Sequence, residues 1–142
     1  MRALGLDLGE RRIGVAVGDS DGRVATPVTV LNRSGDQAAD YRALAELVLE
    51  WETQVVVVGM PYSLDGTEGP AAQSVIKEVA RLGAVLTVPI QTYDERLTTV
   101  TAERSLAQQG LAGRDRRNVV DKVAAAVILQ AWMDFRRETE DQ

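Results

Sequence analysis

The chain contains neither cysteine nor histidine. Without cysteine there can be no disulfide, no thiolate zinc site and no cysteine nucleophile. Without histidine there is no Ser-His-Asp catalysis, no imidazole general base and no imidazole metal ligand. Hydrolytic chemistry must then come from carboxylates, lysine, tyrosine, hydroxyls or a hard, oxygen-ligated cation. Long apolar runs are also missing: nothing resembles a signal peptide, and no stretch approaches the roughly 20 residues of a membrane span. A soluble, cytoplasmic protein with no membrane partner is the expectation. No low-complexity linker divides the 142 residues, so a single domain over 1–142 is expected. A chain of this size buries about two-thirds of its unfolded surface, enough for its own core.

The net charge of −5 argues against a polyanionic partner at first sight. Its distribution softens that argument. Arg114, Arg116 and Arg117 cluster in an expected loop over 110–118, with Lys122 just beyond, and Arg11 and Arg12 sit in the first turn. Two readings stand for these cations: a local phosphate-binding patch on an acidic protein, or solvated surface arginines.

The most informative stretch is Leu4-Gly5-Leu6-Asp7-Leu8-Gly9-Glu10-Arg11-Arg12-Ile13-Gly14-Val15-Ala16-Val17. Residues 3–8 read as a buried strand carrying one carboxylate, and residues 12–18 as the returning strand. Gly9 is expected to open the turn with a positive φ. A carboxylate among aliphatics is costly to desolvate unless something cationic meets it. Asp7 is therefore either the cap of its own hairpin or a metal ligand or phosphate-site acid.

Asp19-Ser20-Asp21-Gly22 forms a turn, and residues 23–30 read as a third antiparallel strand, with Pro27 pointing to a sheet edge. A helix follows to about residue 52, with Tyr41, Leu44, Leu47, Val48 and Trp51 on its apolar stripe. Val55 to Val58 is the strongest strand signal, four valines implying burial on both faces. It empties into a long glycine- and proline-punctuated loop, residues 59–70, at the strand end where open α/β sheets hold ligands. A second helix, 70–82, places Ala72, Val75, Ile76 and Val79 inward. A fifth strand is expected over 84–93, then a helix over 99–109. The last helix, 119–137, has the stripe Val120, Val123, Ala124, Val127, Ile128, Ala131 and Phe135. Asp121 lies in its first turn, within about 40° of Ala125 and Ile128 by helical angle. That position favours the helix dipole, and it also points toward the strand ends.

The resulting order is three antiparallel strands, then helix, strand, helix, strand and terminal helices. This is the order of an α/β RNase H-like domain: a mixed five-stranded sheet, antiparallel then parallel, flanked by helices. In that layout Asp7 is central, Glu95 ends a neighbouring strand and Asp121 leans over from the last helix. Three carboxylates without histidine or cysteine suit Mg²⁺ or Mn²⁺. Two such ions about 3.5–4 Å apart can serve phosphodiester cleavage.

Four blocks resemble the YqgF/RuvX family of RNase H-like nucleases: Gly5-Leu6-Asp7-Leu8-Gly9 with Arg12-Ile13-Gly14-Val15-Ala16; Gly59-Met60-Pro61 with Asp65-Gly66-Thr67; Asp94-Glu95-Arg96-Leu97-Thr98-Thr99; and Asp121-Lys122-Val123-Ala124-Ala125. They span nearly the whole chain in order. Leu8 and Gly18 depart from the aromatic and the serine common in the family, and neither is a proposed ligand. The resemblance implies metal-binding, catalytic acids at Asp7, Glu95 and Asp121. It makes Arg96 a phosphate contact or a carboxylate-orienting residue, against the plainer reading of an ion pair with Asp94. It favours pre-16S rRNA processing, with structured or single-stranded RNA as substrate. A DNA repair nuclease acting on Holliday junctions or single-stranded DNA is the alternative, as monomer or homodimer. Two further classes compete. One is a phosphotransfer module like the actin-like ATPases and sugar kinases, which need a second domain. The other is a non-catalytic RNA-binding factor.

Overall fold

The computed structural model describes residues 1–99 and 114–140, with the backbone alone over 114–122. Five strands form one sheet: β1 (Ala3–Leu8), β2 (Arg12–Gly18), β3 (Ala25–Asn32), β4 (Val55–Met60) and β5 (Ile90–Asp94), in the order β3-β2-β1-β4-β5. β1 pairs antiparallel with β2 and parallel with β4; β2–β3 is antiparallel and β4–β5 parallel. The helices are α1 (Gln37–Glu50), α2 (Pro70–Gly83) and α3 (Arg114–Glu140), and a 3₁₀ turn covers Glu95–Leu97. Among the described residues no helix is long and apolar enough to cross a membrane.

Strand alternation sorts the core into two layers. Leu4, Leu6 and Leu8 of β1 join Val56 and Val58 against Tyr41, Leu44 and Val48 of α1 and Ala72, Val75 and Leu82 of α2. On the other face Ala3, Ala16, Val55 and Val57 pack against Ala124, Ala125, Ile128, Leu129, Trp132 and Met133 of α3. The valine run thus feeds both layers, as its lack of alternation requires. Asp7 follows Ala3 and Gly5 and so belongs to the α3 face. The sheet is stripped of side chains where α3 crosses: a Cβ on Gly5 would stand 2.8 Å from Leu129 Cβ and 3.0 Å from the Ala125 carbonyl oxygen.

Several boundaries differ from the sequence reading. β5 begins at Ile90 because Pro89 cannot donate to a ladder, and residues 84–89 form turns instead. β3 sits two residues later than expected and is an edge strand, as Pro27 implied; Pro27 lies opposite Ala16 beside a register shift. α3 starts at Arg114, so Arg114, Arg116 and Arg117 occupy its first turns rather than a loop. Once past Gly113 nothing in this segment breaks a helix, and Asp115 favours the N-terminal dipole. The helix expected over 99–109 lies outside the described residues.

The inward faces shift as well. Ile76 is 38% exposed, and Glu78 takes the buried position instead. In α3, Phe135 is 59% exposed while Leu129, Trp132 and Met133 are buried. Gly9 does not take a positive φ. Glycine is required there because a Cβ would meet the Arg12 carbonyl oxygen at 2.7 Å, in a turn closed by the Gly9 N–H to that same oxygen.

Glu52, just past α1, is the one non-glycine residue with positive φ among the described residues, at 51°. Glycine carries no Cβ penalty at such a position. A Glu52→Gly variant is expected to gain about 0.5–1 kcal/mol, read as a raised urea midpoint. A lowered midpoint would show that the glutamate side chain contributes more than the backbone strain removes.

Candidate active site

The site lies at the C-terminal ends of β1 and β4. Asp7 is the penultimate residue of β1, at 4% exposure, and Glu95 opens the 3₁₀ turn after β5 at 3%. The β1–β4 register, Leu6 opposite Val58, brings Gly59 beside Asp7. Glu95 lies over that glycine: a Cβ on Gly59 would stand 2.8 Å from Glu95 Oε1 and 2.5 Å from Ile128 Cδ1. Gly59 therefore leaves the room that the Glu95 carboxylate and α3 fill. Asp7, Gly59 and Glu95 line one cleft of about 790 Å³, together with Gly9, Arg11 and Arg12 from the first turn and residues of α2.

Asp94 and Glu95 are divided in role by geometry. Asp94 caps the 3₁₀ turn, accepting from the Arg96 backbone N–H at 2.9 Å and from the Arg96 guanidinium at 2.6–3.1 Å. Those hydrogen bonds hold the Asp94 carboxyl below its usual value and raise Arg96. Arg96 also lies over the Tyr62 ring, 5.6 Å from its centroid, and against Gly66 in the β4–α2 loop. Asp65 accepts from the Thr67 N–H and hydroxyl, at 3.0 and 2.7 Å, and keeps that loop compact. An exposed ion pair is worth little in stability. Its effect here is positional, because it fixes the turn whose first residue is Glu95. The ion-pair reading of Arg96 is thus realised.

The structure brings Asp7, Glu95, Arg11 and Arg12 into one cleft. Arg96 stands beside it on the 3₁₀ turn. The side chains of Asp121, Arg114, Arg116, Arg117 and Lys122 lie outside the described residues. Ala125 and Ile128, four and seven positions after Asp121, are fully buried against the sheet. Among the described residues, no three potential metal ligands cluster.

One set of residues was not anticipated from sequence. Arg33 donates to both Glu78 carboxylate oxygens, at 2.6 and 2.7 Å, and from Nε to the Gly9 carbonyl at 2.9 Å. Tyr41 Oη donates to Glu78 at 2.8 Å. Burial pushes the Glu78 carboxyl up, but the hydrogen bonds from Arg33 and Tyr41 outweigh it and leave it below its usual value. This network ties α1 and α2 to the turn that follows Asp7. Its sequence signal was a glutamate at position 78, one helical step from Val75 and Leu82.

The RuvX family, described as Holliday junction resolvase, matches residues 1–135. A protein of Anaeromyxobacter dehalogenans strain 2CP-C, named "Putative pre-16S rRNA nuclease", is 48% identical over 136 residues, covering 96% of this chain and 98% of the relative. One of the same name from Crocosphaera subtropica is 47% identical over 135 residues, covering 95% and 94%. Among solved structures, Thermus thermophilus RuvC in complex with a Holliday junction substrate has a TM-score of 0.53 at 18% identity, covering 96% of each chain, which shows a shared fold. By the extent of the family match and the identity to these relatives, the chain belongs to the RuvX family.

Proposed function

We propose that this chain, acting as one domain in the cytoplasm, is a divalent-metal-dependent nuclease that hydrolyses phosphodiester bonds in processing the 5′ end of pre-16S rRNA. The observation that carries this reading is the placement of two buried carboxylates, Asp7 and Glu95, in the lining of one open cleft, Glu95 over Gly59. The relatives' name supplies the substrate. Two buried carboxylates with no histidine or cysteine anywhere in the chain make an all-oxygen donor set, which fits Mg²⁺ or Mn²⁺. Asp7 and Glu95 would hold the ion, with Asp121 as the third ligand. When bound, it supplies an activated water and stabilises the leaving oxygen. The chain's own part is to hold both carboxylates in register and to neutralise substrate phosphates with Arg11, Arg12 and Arg96. Arg114, Arg116, Arg117 and Lys122 would extend that contact along α3.

The test is cleavage of end-labelled single-stranded RNA, an rRNA-precursor mimic, single-stranded DNA and a four-way junction, each with Mg²⁺, Mn²⁺ or chelator. Metal-dependent cutting of the precursor mimic supports the reading. Preference for the junction would move the substrate to branched DNA. Binding without cutting in every lane would make the chain a non-catalytic RNA-binding factor.

Gly59→Ala probes the same geometry. The added methyl meets Glu95 Oε1, Glu95 Cγ at 3.0 Å and Ile128 Cδ1, so the carboxylate must move. Overpacking costs about 1–3 kcal/mol of stability. Cleavage is expected to fall by about 10–100-fold, the size of effect seen when support around a metal ligand is lost. Full activity in a folded Gly59→Ala protein would remove Glu95 from the site.

A further inference from the structure

The cleft does not stop at the carboxylates. It continues over the end of the sheet, between the β1–β2 turn and α2, to Gln37, Ser74 and Arg81. Away from the Asp7–Glu95 pair its lining holds four arginines (Arg11, Arg12, Arg33, Arg81) against two glutamates (Glu10, Glu78), an excess of two positive charges. The floor is rigid, because Arg33 and Glu78 are locked bidentately and Glu78 also accepts from Tyr41. Arg81 lines the same cleft, and its charge acts to lower the pKa of both Glu78 and Tyr41. Gln37, Ser74, Arg81 and Arg11 are exposed on the groove walls and offer neutral and charged donors.

We propose that this α2-side arm is a backbone-phosphate subsite that takes a single-stranded segment of the polynucleotide next to the cleaved bond. The proposal rests on the nuclease reading for the identity of the ligand and extends it to a second contact surface. The guanidinium fork suits phosphate oxygens. Arg11 and Arg12 stand on the turn after Asp7, and Arg81 carries positive charge on along the α2 wall, so a strand that leaves the carboxylates meets arginines. The whole cleft, at about 790 Å³, falls in the 300–1,000 Å³ class that encloses a drug-sized molecule. That is the scale of a few nucleotides of one strand.

The experiment measures binding of a fluorescein-labelled single-stranded RNA to the full chain in chelator, at several salt concentrations. Arg81→Ala should weaken binding about five- to tenfold and reduce the salt slope by about 0.7, the value of one phosphate on a single strand. Ser74→Glu, which sets a carboxylate on the groove wall, should weaken it further. Lys77→Ala, on α2 but outside the groove, should leave it unchanged. Unlabelled single strand should displace the probe better than duplex of the same sequence. Thermal melts establish that each variant is folded.

Equal affinity and slope in Arg81→Ala and Ser74→Glu would overturn the subsite. So would an equal loss in Lys77→Ala, or a duplex that competes as well as the strand. If wild type cleaves but Arg81→Ala binds normally, the subsite falls and the nuclease reading stands. If Arg81→Ala weakens binding but nothing cleaves, the subsite stands and the nuclease reading falls. If wild type binds no RNA, both fall.

Discussion

An Asp7→Asn variant is expected to lose cleavage by about 10³-fold or more, equivalent to ~4 kcal/mol of transition-state stabilisation. Asparagine keeps the volume of the side chain and one accepting oxygen, so the β1–β2 turn has no steric reason to move. What it removes is the charge. At 4% exposure Asp7 has little bulk water around it, so its charge acts at short range in a poorly screened setting. A neutral amide is a weak ligand for a hard cation, which takes carboxylate oxygens. Cleavage of the precursor mimic by identically purified wild type and variant, with circular dichroism to establish the fold, checks the result. Equal cutting by Asp7→Asn would mean that the activity comes from a contaminating nuclease or from another site.

The face of Asp7 was legible because strand parity is a local property of the chain, whereas bringing Glu95 into the same cleft came from the element order and the family resemblance. Alternation puts Asp7 on the face opposite Leu6 and Leu8, and the parallel valine strand carries Gly59 up beside it. The division between Asp94 and Glu95 was legible only halfway. Opposite facing follows from adjacency in a strand, but which acid enters the site depends on the Asp94 cap and the Arg96 guanidinium, which form only once the 3₁₀ turn exists.

The face of α3 was misread for a different reason. Ala124, Ala125 and Ala126 are all compatible with close packing, so the apolar stripe can be drawn along either of two adjacent rows. The packing of Leu129 and Ala125 over Gly5, and of Met133 over Gly18, selects the row that leaves Phe135 outside. Glu78 was passed over because hydrophobic periodicity reads a polar residue as outward. Its burial is made tolerable by Arg33, 45 positions earlier, and no local pattern announces such a partner.

Removing Arg33 should be the most damaging change to stability in this end of the molecule. In Arg33→Ala the Glu78 carboxylate, 6% exposed in wild type, keeps the Tyr41 hydrogen bond and the charge of Arg81 but loses both guanidinium bonds from Arg33. A buried charge left wholly uncompensated costs about 3–5 kcal/mol; with Tyr41 and Arg81 still acting on Glu78, a loss of about 1–3 kcal/mol is expected. The pH dependence identifies the cause. In wild type the folded-state pKa of Glu78 is depressed, so the stabilisation it reports is fully present above the unfolded carboxyl pKa and is lost as pH falls through the folded value. In Arg33→Ala the strongest contribution opposing burial is gone, so the folded-state pKa of Glu78 should rise from its depressed wild-type position. The stability gap between wild type and Arg33→Ala, from urea midpoints, should therefore be widest near neutrality and narrow in acid. A gap independent of pH would show that Arg33 acts by packing alone.

A second comparison separates the structural and functional parts of the same side chain. Combining Arg33→Met, Glu78→Leu and Tyr41→Phe replaces the polar network by apolar groups, which can be neutral or stabilising. That variant should regain most of the urea midpoint. It cannot restore the side-chain donor to the Gly9 carbonyl, so the turn after Asp7 is left with its backbone bonds alone, Gly9 N–H to the Arg12 carbonyl and Arg33 N–H to the Arg11 carbonyl. Cleavage should remain at least about tenfold below wild type, as expected when support for a reacting group is removed. If activity returns with stability, the Arg33–Gly9 bond has no part in positioning Asp7, and the network serves the fold alone.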